Sequence, residues 1–256
     1  MQPLTALITT LVAAASFHAS AQSAVPDTPA ARQARETAPQ LFAYTQEVLF
    51  GDVWKRKELA PRDRSLVTLS ALLANGQTAQ MTSHINLALD NGVKPSEITG
   101  LITHLAFYGG WPNAMSAVGV AKEVFAQRGI PTEQIRPVQT DLLPVDKEAE
   151  ERRLVIVRDN VAPTAPELAR YTDEVLFADL WRRPDLAPRD RSLITTAALI
   201  ARGQIDQVPF HLSRAMDNGL TQTEAAELVT HLAFYAGWPR AMSALPALQS
   251  VFAGRN

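Results

Sequence analysis

Four histidines, spaced in pairs, are the residues best suited to chemistry. His84 follows Gln80 by one helical turn, and His211 follows Gln207 in the same way. An imidazole beside a carboxamide on one helix face can exchange protons near neutral pH, so His84 and His211 are candidate general acid/bases, with Gln80 and Gln207 beside bound substrate. His104 lies four residues before Tyr108 and just ahead of Trp111; His231, Tyr235 and Trp238 repeat that spacing. His104, His231, Tyr108 and Tyr235 are further candidates for proton transfer or oxyanion donation, and Trp111 and Trp238 for substrate contact, although aromatics on an apolar helix are usually core. Arg62 and Arg64, repeated as Arg189 and Arg191, stand near a helix start, where a guanidinium can grip a carboxylate through two hydrogen bonds or lie in local ion pairs. No HExxH or other metal spacing, Gly-rich phosphate loop or GxSxG is found, so no metal site is expected.

The chain that positions these groups is one unit written twice. Shifted by 127 residues it matches itself without a gap: Leu59–Leu66 (LAPRDRSL) returns as Leu186–Leu193, Tyr44–Phe50 as Tyr171–Phe177, and Thr103–Tyr108 as Thr230–Tyr235. About half of the positions between Thr37 and Phe125 are identical to their partners. Two long copies mean a domain duplication, because a solenoid needs three or more short repeats. Every His, Trp and Tyr after residue 21 falls in such a pair, which drift alone would have broken somewhere. The division expected is 22–36 as an N-terminal segment, 37–130 as the first domain, 131–147 as a Pro-containing linker, and 148–256 as the second domain.

Within a copy the signals are helical. Leu66, Leu69, Leu72 and Leu73 follow Pro61 at helical spacing, and Met81, Ile85 and Leu89 form one stripe that stops at Asn91-Gly92. Thr221-x-x-Glu224 is a capping box, whereas Lys94 at the matching place predicts a weaker cap. The LAFY segments are apolar nearly all round and are expected to be buried against more than one neighbour. No stretch alternates with a period of two, so the fold class is all-α.

Composition narrows the function. The chain has 256 residues, 24 Lys plus Arg against 26 Asp plus Glu, and a net charge of -2, a poor match for a phosphate backbone; no nucleic-acid partner is expected. It has no cysteine, which excludes thiol peroxidases and Cys-ligated zinc. Residues 1–21 read as a secretory signal peptide: no charge from Leu4 to Phe17, then Ala19-Ser20-Ala21 as a cleavage site. The expectation is a periplasmic or secreted protein, cleaved after Ala21, with no membrane association afterwards.

The order LAPRDRSL, QxxxH, ALDNG and THLAFYGGWPNAMSA resembles the carboxymuconolactone decarboxylase family over nearly all of the chain after residue 21. The resemblance implies two tandem all-α domains of the alkyl hydroperoxidase D-like fold. Gln77 and Gln80 stand where the peroxidase branch has its CxxC pair, and Ser65 and Ser192 where a glutamate is common. The resemblance therefore implies a cofactor-independent carboxy-lyase acting on a small carboxylated lactone or related acid, not a thiol peroxidase. Arg62 or Arg64 would place the substrate carboxylate, Tyr108 or His104 would stabilise the oxyanion, and His84 would deliver the proton. Single-domain members are hexamers, so a homotrimer of six domains is implied. The alternatives are a non-catalytic periplasmic small-molecule-binding protein or an oligomeric structural protein.

Overall fold

A computed structural model of the chain describes residues 28–136 and 141–255. The signal-peptide reading of residues 1–21 lies outside the described residues. Among them, every regular element is helical.

The chain forms two compact units, one up to Lys55 and one from Arg56 to Asn256. The first contains α1 (Pro29–Thr37) and α2 (Pro39–Tyr44), which runs on into a wide π-type turn at Thr45–Leu49. Thr28 caps α1 by accepting from the Ala31 amide, and Pro39 opens α2 where no amide hydrogen is needed. Phe50 and Trp54 stack, ring centroids 5.8 Å apart.

The second unit holds the rest. In the first copy these are α3 (Pro61–Ala74), α4 (Thr78–Asp90), α5 (Pro95–Gly109), α6 (Trp111–Gln127) and the short α7 (Thr132–Ile135). After the connection come α8 (Lys147–Asn160), α9 (Pro166–Tyr171), α10 (Pro188–Arg202), α11 (Val208–Asp217), α12 (Gln222–Ala236) and α13 (Trp238–Ala253). The punctuation follows the sequence. Proline sits in the first turn of α3, α5, α6, α10, α11 and α13, and Gly92, Gly110, Gly219 and Gly237 adopt the positive φ that ends the preceding helix. Thr221 and Glu224 cap α12 reciprocally; at α5 only Glu97 closes back, accepting from the Lys94 amide.

Within this unit the two copies share one core. α3 and α10 are buried along almost their whole length, including polar positions, and pack on each other; α5 packs on α10, and α12 on α3. Each copy's central helix is thus covered by a helix of the other. Such a helix cannot show an amphipathic stripe, which is why Thr68, Ser70, Thr195 and Thr196 lie in the core beside leucines. Each of these hydroxyls is satisfied: Ser70, Thr195 and Thr196 donate to carbonyls one turn back, and Thr68 bonds an imidazole of the other copy.

The structure adds detail to three expectations. Gln207 is not inside one helix with His211 as Gln80 is with His84: it ends a 3-10 turn and caps α11, which begins at Val208 with Pro209 in its first turn. The LAFY segment is not buried all round: His104, Leu105 and Ala106 are, but Phe107 is 39% exposed. The connection between copies is more than a spacer. The Leu143 amide donates to the Arg182 carbonyl and Arg182 Nε returns a bond to the Leu143 carbonyl, so this stretch is pinned against the second copy.

Candidate functional site

Two buried imidazoles are fully engaged. On α10, Arg191 and Thr195 stand one turn apart and both meet His104 of α5: Arg191 Nη1 lies 3.1 Å from Nδ1, and Thr195 Oγ1 lies 2.7 Å from Nε2. A guanidinium can only donate, and Thr195 spends its single proton on the Arg191 carbonyl at 2.8 Å. His104 therefore accepts at Nδ1 and donates from Nε2–H. The first copy mirrors this, with Arg64 facing His231 Nδ1 and Thr68 facing Nε2. Burial, and then the neighbouring guanidinium, hold both imidazoles neutral, well below the usual histidine range. With both nitrogens occupied, His104 and His231 position what stacks on them: Tyr108 at 5.0 Å and Tyr235 at 4.9 Å between ring centroids.

His211 and His84 stand differently. His211 on α11 is buried, stacks on Trp181 at 5.7 Å, and meets the edge of Tyr108 at 5.3 Å. Its Nδ1 is buried without a hydrogen-bond partner. Burial, with the Arg214 guanidinium as a second cause, pushes its pKa down to about 3. Trp181 Nε1–H donates to the Tyr108 hydroxyl at 2.8 Å, so this bond leaves the phenolic proton unspent. Burial raises the pKa of Tyr108, so that proton is donated in a hydrogen bond rather than lost. In the other half, His84 on α4 meets the edge of Tyr235 at 5.3 Å, and burial lowers its pKa to about 4. Each site is composite: the histidine comes from one copy and the tyrosine from the other.

Beside the His211 group lies a cavity of about 500 Å³, walled by Trp181, Phe177, Phe210 and Arg214, with Leu143–Asp146 and α8 on the other side. Trp181 and Arg214 line it directly; His211 and Tyr108 lie behind them.

The remaining expected residues are placed elsewhere or held by protein groups. Arg62 reaches Asp190 at 2.7 Å and Glu97 at 2.8 Å; Arg189 reaches Asp63 and Glu224, each at 2.7 Å. This reciprocal network clamps the starts of α3 and α10 together. Arg64 and Arg191 are fully buried and pair with Glu227 and Asp185. Gln80 and Gln207 are exposed. Trp111 and Trp238 are 58% and 56% exposed, lying edge-on to Phe107 and Phe234 past the ends of α5 and α12. Ser65 and Ser192 are buried; each donates to a carbonyl of its own helix and lies 3.0 Å from the amide nitrogen of Asn91 or Asn218.

Sequence reasoning passed over two residues. Trp181 had a signal, its pairing with Trp54 in the repeat, but nothing set it apart from core tryptophans. Arg214 had none, because a search for sameness between copies discards it: Leu87 stands at its place in the first copy.

Two stretches, 39–123 and 166–250, match the model of the carboxymuconolactone decarboxylase family. The chain belongs to that family, as a tandem member with two copies of its domain. It is 38% identical over 86 residues to a 4-carboxymuconolactone decarboxylase of Acinetobacter baylyi, covering 34% of this chain and 64% of that protein. It is 33% identical over 90 residues to a nitrosuccinic acid decarboxylase of Metarhizium robertsii, covering 35% of this chain and 63% of that protein. The chain thus spans somewhat under two thirds of the length of these two relatives.

Proposed function

We propose that the protein is a cofactor-independent carboxy-lyase that decarboxylates a small carboxylated lactone or a related acid. The observation that carries this is the His211–Tyr108 pair: a buried, neutral imidazole with an unpartnered nitrogen, its ring perpendicular to that of Tyr108, whose hydroxyl accepts from Trp181 and keeps its own proton. In the reaction the C–C bond to the carboxylate breaks, its electron pair moves into a conjugated carbonyl, and CO2 leaves. The Tyr108 hydroxyl donates to the oxyanion so formed. One proton must then reach carbon. His211 is neutral when empty, but an anion bound beside it favours the imidazolium, so an acidic substrate loads the proton that the product takes up. The His84 and Tyr235 rings meet at the same distance and a similar angle.

The test is CO2 release from 4-carboxymuconolactone, and from related small lactone acids, without added cofactor. Turnover by the wild type and a loss of at least about 10²-fold in the H84N/H211N double variant are expected. Equal turnover in the variant removes both histidines from the mechanism, and no release from any such acid ends the lyase reading. A second reading, binding without turnover, draws on Ser65 and Ser192: they stand where a glutamate is common in the family, and they supply no acid. It expects the same acids to stabilise the fold while yielding no product.

Export and assembly belong to the same proposal. The composition of residues 1–21 supports a periplasmic or secreted protein. Both copies leave an equivalent apolar face open, with Trp111 and Met115 in one and Trp238 and Met242 in the other, which supports a homotrimer of six domains. Light scattering at the mass of one chain would overturn the trimer.

A further inference from the structure

The two histidine sites differ in charge. At the third position after His211 stands Arg214, while the third after His84 is Leu87. We propose that only the second copy's site takes an acidic ligand, with Arg214 as the counter-ion of its carboxylate, and that this ligand is a small carboxylate with a flat apolar body. The inference takes from the proposed function only that the ligand is an acid.

Arg64, Arg153 and Arg191 are each buried and each holds a protein carboxylate, at 2.6 to 2.8 Å. The half-buried Arg214 guanidinium makes neither an ion pair nor a hydrogen bond among the described residues. It lies over Trp181, 4.3 Å from the ring centroid, with Phe177 at 5.6 Å. A ring face offsets part of the cost of desolvating a cation but supplies no hydrogen-bond acceptor for its five N–H groups. Desolvation accordingly lowers its pKa.

The carboxylates around the cavity act on it at most through space, as Glu150 and Asp146 do, because each has a hydrogen-bonding partner already. Glu150 is held in a bidentate grip by Arg153, Asp217 accepts from Arg255 at 2.6 Å, and Asp146 caps α8 through the Ala149 amide. Of the arginines lining the cavity, Arg152 and Arg153 hold carboxylates and Arg182 donates to two carbonyls, whereas Arg214 makes no hydrogen bond or ion pair among the described residues. The guanidinium lies over Trp181 and near Phe177, and the same cavity is lined by the apolar side chains of Phe210 and Ile156. A planar body seated beside Phe210 and Ile156 puts its carboxylate on Arg214, which itself lies over the indole that carries Tyr108 and His211.

The test is calorimetric titration of the full chain with benzoate and with its neutral isostere benzamide. One benzoate should bind per chain, with benzamide at least about 10-fold weaker. R214L and R214Q should each weaken benzoate at least about 10-fold while leaving benzamide within about 3-fold, and R214K should keep most of the benzoate affinity. Retained benzamide binding shows that the pocket is still folded. Two equivalent benzoate sites per chain, no benzoate binding up to about 10 mM, or benzoate affinity unmoved in R214L would each overturn the proposal. Because the readout is binding alone, absence of CO2 release would sink the lyase reading and leave this one standing.

Discussion

Arg64 and Arg191 occupy the same place in the repeat, yet their carboxylates come from different parts of the chain. Arg64 is met by Glu227, on α12 of the other copy, which also takes both arms of Arg56. Arg191 is met by Asp185, six residues earlier in its own copy, with Arg183 on the other oxygen. The residue equivalent to Glu227 in the first copy is Gly100, and a side chain there would run into Asp185, whose Cγ would lie 3.2 Å from the added Cβ. With Asp185 in place there is little room for a side chain at position 100, whereas in the first copy Glu58 stands at Asp185's place and reaches Arg56 at 3.7 Å alongside Glu227. Both copies satisfy one demand, a carboxylate between two arginines under a buried His–Thr pair. Which strand of the fold supplies it is open, and the choice matters for cohesion: Glu227 ties the two copies together, and Asp185 does not.

The largest test of this contrast removes the carboxylates. E227Q and D185N each strand a fully buried guanidinium and should cost about 3–5 kcal/mol in denaturant unfolding. E227Q should also loosen α12 against α3 in hydrogen exchange, and D185N should not; equal loosening would erase the distinction between the two sites. Titration of His211 and His84 comes next. Their folded values of about 3 and about 4 lie below the unfolded value near 6.5, so the unfolded chain takes up protons first as pH falls. The stability they contribute is present above about pH 6.5 and drains away below it, by about 3 kcal/mol per histidine at most by pH 4. Between pH 4 and 3 only His211 still contributes, so the Tm of H211N should flatten there relative to H84N.

Turnover separates the sites next. If Arg214 selects the working half, H211N alone should lose about 10²-fold in CO2 release, and H84N no more than about 3-fold. Equal losses would mean two working sites. The smallest effects should be symmetrical. T195V and T68V each leave one imidazole N–H without an acceptor, which costs about 1–3 kcal/mol by thermal unfolding. A clear inequality would show that the two buried pairs are not the same device.

The helices were legible because their signals are local. Prolines at the starts, Asn-Gly at the ends and leucines at 3.6 spacing gave α3 to α6 and their repeats nearly residue by residue. The site was legible in part. His84 and His211, Tyr108 and Tyr235 stood out by type and pairing, but Arg62 and Arg64 were chosen for charge alone, and charge does not say who already holds it. Arg214 stayed hidden because it breaks the symmetry by which the other residues were found.

The sequence by itself determined the all-α class, the duplication, the family and the residue types that can move a proton. These depend on spacing within about 15 residues and on identity between copies, both of which can be read from one chain. Only the tertiary structure decided that each histidine meets the tyrosine of the other copy, that His104 and His231 have no free nitrogen, and that Arg214 makes no hydrogen bond or ion pair among the described residues. Those facts are contacts between residues up to 167 positions apart, created when α3 and α10 pack against each other, and a helical pattern says nothing about what the far side of a buried helix will touch.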